Sequence, residues 1–245
     1  MTIDLDALHQ ALSATDAPSL PSLTAQHFAL QGMWAVVLAT LAVALLRRRS
    51  RGLQMALFFC VLGLTLLPGS LSPAYWLGLA FLMPSWMSVV LCLAWLYQHF
   101  RRLPVAPSTK PMRMAAYGMA ALGVLLGWPL LGDMLAWFPF AQTVYAWGFS
   151  SWAVSVAVVI AVAPWLVWGG RLVPPQADAI SVLALPIMVL VIFVFTRLPS
   201  GNLWDALLDP WLWLLMQAFC IVRMLHYCRV CCTYSDPTPS LNKHP

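Results

Sequence analysis

The residues best suited to chemistry lie close to the C-terminus, in the stretch His226-Tyr227-Cys228-Arg229-Val230-Cys231-Cys232. Thiolates and imidazoles are ligands that zinc and other soft metals prefer. On a helix, Cys228, Cys231 and Cys232 share one face, so these three are candidate metal ligands. A structural zinc site usually draws two ligand pairs from separate elements, and the sequence has no second pair. Acylation of the cysteines, a redox role, or plain packing therefore stays open.

Two histidines form a second candidate site. His99 and His226 stand near the ends of two different apolar runs, and alternating membrane crossings would place both near the same face. Two imidazoles at one depth on different helices could ligate a b-type haem. Histidine is also an ordinary residue at a membrane interface, so we predict no resident cofactor and keep haem binding through His99 and His226 as an alternative.

The third candidate site is an aromatic loop between two apolar runs, residues 133–149. It carries Trp137, Tyr145 and Trp147. Aromatic side chains and proline kinks build apolar pockets. These three residues are therefore candidates to bind a lipid, a polyprenyl chain or a quinone. The alternative is a pair of interfacial helices whose aromatic face lies among the headgroups.

Signatures of enzymes and coupled transporters are missing from the sequence. There is no metalloprotease motif, no nucleophile elbow and no phosphate-binding glycine loop. All eight acidic residues are Asp, and no ionisable residue lies in the middle of an apolar run. Because intramembrane charges mark ion paths and proton relays, coupled transport is disfavoured. We predict no catalytic residue.

The composition points to lipid as the main solvent of the chain. Hydrophobic residues make up 62% of the 245 residues and charged residues only 9%, whereas a soluble domain carries about a quarter charged residues. A soluble globule has too few buried positions for so much apolar side chain. The fold class expected is therefore an all-α polytopic transmembrane bundle.

Seven apolar runs are counted as spans, and the first, 28–46, extends over roughly 28 Å at 1.5 Å per residue, about one hydrocarbon core. A segment at 73–83, before Pro84, reads as interfacial. The expected domains are a polar extracytoplasmic segment at 1–27, a transmembrane domain at 28–232 and a cytoplasmic tail at 233–245. The seven runs are 28–46, 53–67, 84–100, 114–131, 150–168, 179–195, and one that begins between 203 and 211 and ends near 224.

The basic residues predict the orientation. With the loop Arg47–Arg51 placed in the cytoplasm, alternation puts all but one of the 13 Lys and Arg residues inside, the exception being Arg197. This obeys the positive-inside rule and predicts an outside N-terminus and a cytoplasmic C-terminus. The formal charge of +5 thus comes from lysine and arginine residues at the membrane edges, where they meet anionic headgroups. Nucleic acid is not an expected partner.

Three smaller patterns concern packing. Gly123 and Gly127 form a GxxxG motif, which lets helix backbones approach closely. Gln217 lies within an apolar run, where an amide needs a partner on another helix. Three outside-to-inside helices begin alike, at Pro84-Ser85-Trp86, Ser150-Ser151-Trp152 and Asp209-Pro210-Trp211, which indicates interfacial anchoring or, alternatively, a triplicated hairpin.

Three classes of function fit these observations. The first is a non-catalytic subunit or scaffold of a membrane protein complex, with the lipid bilayer and other membrane subunits as partners. The second is an uncoupled carrier or binder of an apolar, lipid-like substrate. The third is a redox subunit associated with haem or quinone. The expected location is a bacterial inner (plasma) membrane.

Overall fold

The structure is a computed structural model that describes residues 20–101, 110–137, 144–172 and 184–234, with the side chains of 110–115, 164–172 and 229–234 outside the description. Every regular element in these ranges is helical, so the all-α fold class is confirmed for them. The helices are α1 (Leu23–Leu45), α2 (Arg51–Thr65), α3 (Pro73–Phe81), α4 (Trp86–Arg101), α5 (Lys110–Met134), α6 (Val144–Trp147), α7 (Ser151–Leu172), α8 (Ala184–Thr196), α9 (Leu203–Leu207) and α10 (Pro210–Tyr234), with a 3₁₀ turn at Gly69–Leu71.

The break expected at Pro84 separates α3 from α4. Ser72 caps α3 by accepting a hydrogen bond from the Ala74 N–H, and proline follows the cap, where its missing N–H costs nothing. The helix ends at Leu82, whose φ of 60° lies in the left-handed region. The Trp34 indole N–H donates to the Leu82 carbonyl at 2.9 Å and ties this strained residue to α1.

Several helix ends differ from the expected run boundaries. Helix α1 begins inside the segment 1–27, because the Ser22 hydroxyl accepts from the Ala25 N–H at 3.4 Å. Helix α5 continues through Asp133 with Pro129 inside it. The last run divides into α9 and α10, because Pro210 cannot continue a helix from α9 but suits the first position of α10. Residues 1–19, 179–183 and 235–245 lie outside the described ranges.

Helices α1 and α2 form an antiparallel hairpin. Near the start of α1, the Gln31 side chain donates to the Leu67 carbonyl beyond the end of α2, at 3.3 Å. At the opposite end, the side chain of Gln54 in α2 donates to the Leu46 carbonyl just after α1, at 3.0 Å. Both ends of the hairpin are therefore closed by an amide side chain.

Helix α8 lies at the centre of the hydrophobic core. Phe193 is fully buried in one cluster with Ala153 of α7 and with Leu203 of α9. Val189, one turn earlier, is buried in a second cluster with Val90 of α4. One short apolar helix thereby joins its sequence neighbours α7 and α9 to α4, which comes much earlier in the chain.

Helix α10 packs on α5 through the glycine motif. A Cβ atom on Gly127 would lie 2.2 Å from the Trp213 Nε1, and one on Gly123 would lie 2.4 Å from the Met216 Sδ. The Trp213 indole also donates to the Val124 carbonyl of α5 at 3.2 Å. The close packing predicted from the two glycines is confirmed, and the partner helix belongs to the same chain.

Three of the described helices are long and apolar enough to cross a membrane: Leu23–Leu45, Ala116–Met134 and Pro210–Cys228. Three further apolar helices are shorter, Arg51–Thr65, Ser151–Ala163 and Ala184–Thr196. Length and composition thus make three described helices potential spans, and the larger count of seven stays a prediction.

Candidate functional site

The predicted metal ligands lie at the far end of α10. The Cys228 thiol is exposed, whereas Cys231 and Cys232 occupy the last turns of the helix, where side chains are outside the description. Within the described part of the chain, no three His, Cys, Asp or Glu side chains come together as metal ligands. A metal site at Cys228, Cys231 and Cys232 stays a prediction.

The two histidines occupy different surroundings. The His99 Nε2 lies 2.8 Å from the Gln54 Oε1, and its ring stacks on Trp95 with centroids 4.9 Å apart and planes 8° apart. His226 is exposed on α10. Because α4 packs mainly on α1 and α8 while α10 packs mainly on α5, His99 and His226 belong to separate helix pairs. Haem ligation stays an alternative prediction.

The aromatic residues of the loop also separate. Trp137 is exposed, and its backbone N–H closes a turn after α5 by donating to the Gly132 carbonyl. The Trp147 ring lies 5.6 Å from the ring of Trp204 in α9. Tyr145 is held by several hydrogen bonds. Residues 138–143 of the loop lie outside the described ranges, and ligand binding by Trp137, Tyr145 and Trp147 stays a prediction.

Tyr145 joins two aspartates on different helices. Its backbone N–H donates to the Asp133 Oδ2 at 2.8 Å, and its phenol donates to the Asp205 Oδ2 at 2.8 Å. The Ser200 hydroxyl donates to the same Asp205 oxygen. The end of α5, helix α6 and helix α9 are therefore held together at one tyrosine.

The surroundings of Tyr145 hold its phenol in the neutral form. This residue lies in the connection between α5 and α7, outside the apolar spans. Partial burial and the neighbouring Asp205 carboxylate, which accepts a hydrogen bond from the phenol and repels a phenolate, raise the pKa of Tyr145 to about 12. The phenol is thus a hydrogen-bond donor at neutral pH and not a base.

Asn202 completes this network from the other side. Its side chain is fully buried, donates to the Tyr145 carbonyl at 2.8 Å and accepts from the Trp204 N–H at 2.9 Å as the cap of α9. A Cβ atom on Gly148 would lie 2.0 Å from the Asn202 Oδ1. Only glycine at 148 lets the two backbones meet, and the Leu203 N–H donates to the Gly148 carbonyl at 3.0 Å.

Asp209 holds the first turns of two long helices together. Its Oδ1 accepts from the Leu212 N–H at 2.7 Å, which caps α10. Its Oδ2 accepts from the Ser85 N–H at 2.9 Å, from the Ser85 hydroxyl at 2.8 Å and from the Ser88 hydroxyl at 2.6 Å, all at the start of α4. This buried carboxylate therefore lies between two helix N-termini.

The electrostatics of this position favour a carboxylate. Each helix N-terminus presents unpaired N–H groups and the positive end of the helix dipole, which stabilise a nearby anion. Ser85 in turn accepts from the Ser88 N–H at 3.1 Å, and Ser150 accepts from the Ala153 N–H at 3.2 Å at the start of α7. The three similar helix starts in the sequence thus share one role. In each, the side chain of the residue just before the helix caps it.

Gln54 is the corresponding residue at the other end of the bundle. This side chain, 3% exposed, donates to the carbonyls of Leu46 and Arg49 at 3.0 and 3.1 Å and contacts His99 as described above. It closes the turn between α1 and α2 and fixes that turn to the end of α4. Arg51 adds a hydrogen bond to the Phe100 carbonyl at 3.5 Å.

The charges of the described residues separate between the two ends of the bundle. We call the end that holds the three described aspartates, Asp133, Asp205 and Asp209, the aspartate end. We call the end that holds the exposed arginines of the α1–α2 turn and the end of α4 the arginine end. Arg197 is the exception at the aspartate end, with its guanidinium 5.6 Å from the Phe193 ring centre. The arginines of the arginine end are Arg47, Arg48, Arg49, Arg51 and Arg101.

Sequence reasoning missed the residues that hold these ends together. Gln54 stands one residue inside an apolar run, and that position was a usable signal for a buried amide. Asp209 was noted only as part of a helix start. Ser85 and Asn202 carry no such signal, because a serine or asparagine beside a proline or glycine usually indicates a surface turn.

The chemical role of these groups is to satisfy backbone donors and acceptors at helix ends. The described part of the chain is all-helical, and three of its helices are able to cross a membrane by length and composition. Comparisons with protein-family models, with characterised proteins and with solved structures give no match.

Proposed function

We propose that the protein is a multi-pass membrane protein that acts as a non-catalytic subunit or scaffold of a membrane protein complex. The observation that carries this proposal is the structural role of the buried polar side chains. Asp133, Asp205, Asp209, Gln54 and Asn202 all hold helix ends or turns together. A protein whose buried polar groups stabilise its own fold acts through contacts of its surface and not through a reaction centre.

The surface of α10 supports this proposal. Residues 221–228 are all exposed along this helix. Monomeric soluble proteins rarely expose an apolar patch of more than a few hundred Å², whereas lipid or a partner helix covers such a face in a membrane. The large apolar side chains of this face are Ile221, Val222, Met224, Leu225 and Tyr227, each more than half exposed.

The proposed topology has seven spans, an outside N-terminus and a cytoplasmic C-terminus, in a bacterial inner membrane. The directions of the helices support it. The starts of α4 and α10 meet at Asp209, and the start of α7 meets α9 through Gly148 and Leu203, all at the aspartate end. The end of α1 and the start of α2 meet at the arginine end. Neighbouring long helices therefore alternate in direction, as successive crossings require.

Reporter fusions test this topology. Alkaline phosphatase, active outside the cytoplasm, and green fluorescent protein, fluorescent inside, are fused after residues 50, 69, 108, 201 and 245. We expect fluorescence after 50, 108 and 245 and phosphatase activity after 69 and 201. The same compartment for 50 and 69 would contradict separate spans for α1 and α2.

Purification in a mild detergent tests the scaffold role. We expect at least one other membrane protein to co-purify in fixed stoichiometry and to be lost after a harsher detergent. Substitutions on the exposed face of α10, such as Leu225→Lys, should reduce its recovery, whereas Leu41→Lys on the exposed side of α1 serves as the matched control. Recovery of a pure monomer under all mild conditions would contradict the scaffold role.

A further inference from the structure

An open apolar groove lies between α2, α4 and α8, toward the arginine end. Its volume is about 520 Å³, and its walls include Phe58, Val90, Ala94, Tyr97 and Met188. The Phe58 and Phe100 rings, 6.1 Å apart and edge to face, bridge α2 and α4 at its side.

One arginine lines this groove, and a second bonds to one of its lining residues. Arg101 lines it, with its guanidinium 4.9 Å from the centre of the Tyr97 ring. Arg51 donates to the carbonyl of Phe100, which is also a lining residue. All described aspartates lie at the aspartate end, so no described carboxylate neutralises either guanidinium. An apolar groove with positive charge beside it is complementary to an amphiphilic anion.

The size of the groove indicates which occupant it takes. A chain of about 16 carbons, at roughly one water volume of ~30 Å³ per methylene, needs only ~480 Å³. The groove therefore has room for a single acyl chain.

We propose that this groove binds an anionic phospholipid, with one acyl chain between α2 and α4 and the headgroup phosphate held by Arg51 and Arg101. Guanidinium groups bind phosphate oxygens in paired, charge-assisted hydrogen bonds. Basic pockets between helices on the cytoplasmic side of a membrane are suited to such headgroups. The assignment rests on the membrane location proposed above and goes beyond the scaffold role.

Native mass spectrometry of the whole chain in detergent tests the assignment. The delipidated protein is titrated with phosphatidylglycerol and with phosphatidylcholine that carry the same acyl chains. We expect phosphatidylglycerol to bind at least tenfold more tightly. Arg51→Gln and Arg101→Gln should each weaken its binding about fivefold, and Arg197→Gln, which removes an arginine at the aspartate end, should leave it unchanged.

A second variant blocks the apolar part of the groove and leaves its charge. Leu93 lines the groove and is half exposed, so Leu93→Trp should fill it without disturbing the core, and an unchanged melting temperature checks the fold. We expect specific binding of phosphatidylglycerol to disappear. Equal affinity for both lipids, or equal loss in the Arg101 and Arg197 variants, would overturn the assignment.

A polypeptide could also cover this groove. A photoreactive residue at position 97 that crosslinks to a co-purifying protein, and whose crosslink is not displaced by phosphatidylglycerol, would likewise overturn the assignment. The reporter fusions and the recovery of partners do not depend on lipid. Failure of the lipid site and failure of the scaffold proposal are therefore distinguishable.

Discussion

Asp209 accepts hydrogen bonds from both the backbone N–H and the hydroxyl of Ser85, at 2.9 and 2.8 Å, across 124 positions of sequence. The same carboxylate caps its own helix through the Leu212 N–H. Two helix N-termini thereby share one anion.

The first prediction concerns Asp209→Asn. The amide keeps one oxygen for the cap of α10 but turns its N–H₂ group toward the donors of Ser85 and Ser88. Buried donors without an acceptor cost about 1–3 kcal/mol, so we expect the free energy of unfolding in detergent to fall by about that amount. Ser155→Ala is the control, because that exposed hydroxyl donates to the Ser151 carbonyl within α7. An equal effect of both substitutions would argue against the shared cap.

The second prediction concerns Gly127→Ala. Its methyl group would overlap the Trp213 indole, which is held by the Val124 carbonyl. We expect a loss of about 1–3 kcal/mol in unfolding free energy as α5 and α10 are forced apart. Gly118→Ala on the same helix is the control, since a Cβ there meets nothing within 4 Å. That change should be neutral or stabilise the helix by up to about 1 kcal/mol.

The third prediction concerns Tyr145 and alkaline pH. The pKa of this phenol in the folded protein, about 12, exceeds the ordinary tyrosine value of about 10. The folded state therefore holds the proton more tightly, and its stabilisation is complete below pH ~10 and lost as pH rises toward ~12. The melting temperature in detergent should fall less steeply with pH over this range for Tyr145→Phe than for the parent protein. Tyr227→Phe, at an exposed position, should retain the parent slope.

The fourth prediction compares two glutamines. Gln54→Leu leaves the carbonyls of Leu46 and Arg49 without their donor, so we expect a loss of about 1–3 kcal/mol in unfolding free energy. Within the described residues, no hydrogen bond joins the Gln217 side chain to another residue. Gln217→Leu should therefore leave the isolated protein as stable as before.

The same pair of variants also tests the proposed partner. If the Gln217 amide bonds to another subunit, Gln217→Leu reduces the recovery of that subunit, and Gln54→Leu affects it only through stability. Quantitative co-purification at a temperature where both variants remain folded measures this difference. Full recovery with Gln217→Leu would place the interface elsewhere on the protein.

The sequence alone predicted the helical fold class and most helix positions. Runs of apolar residues bounded by arginine, proline or glycine indicate helices directly, and the break at Pro84 follows from the missing proline N–H. The small residues Gly123 and Gly127 also indicated close packing before their partner was known. Two helix ends differ from the expected boundaries: α1 begins at Leu23, because the Ser22 cap and not hydropathy sets its start, and α5 continues through Asp133.

Only the tertiary structure decided which polar groups meet and which helices pack together. A span that is apolar on all sides does not distinguish a face toward lipid from a face toward another helix, so its periodicity carries little information about partners. The contacts of Asp209 with Ser85 and of Gln54 with His99 depend on helix packing across long sequence separations. The pattern of residues therefore determined that helices form and where their charges lie, whereas packing determined that buried aspartate and amide side chains hold the helix ends together.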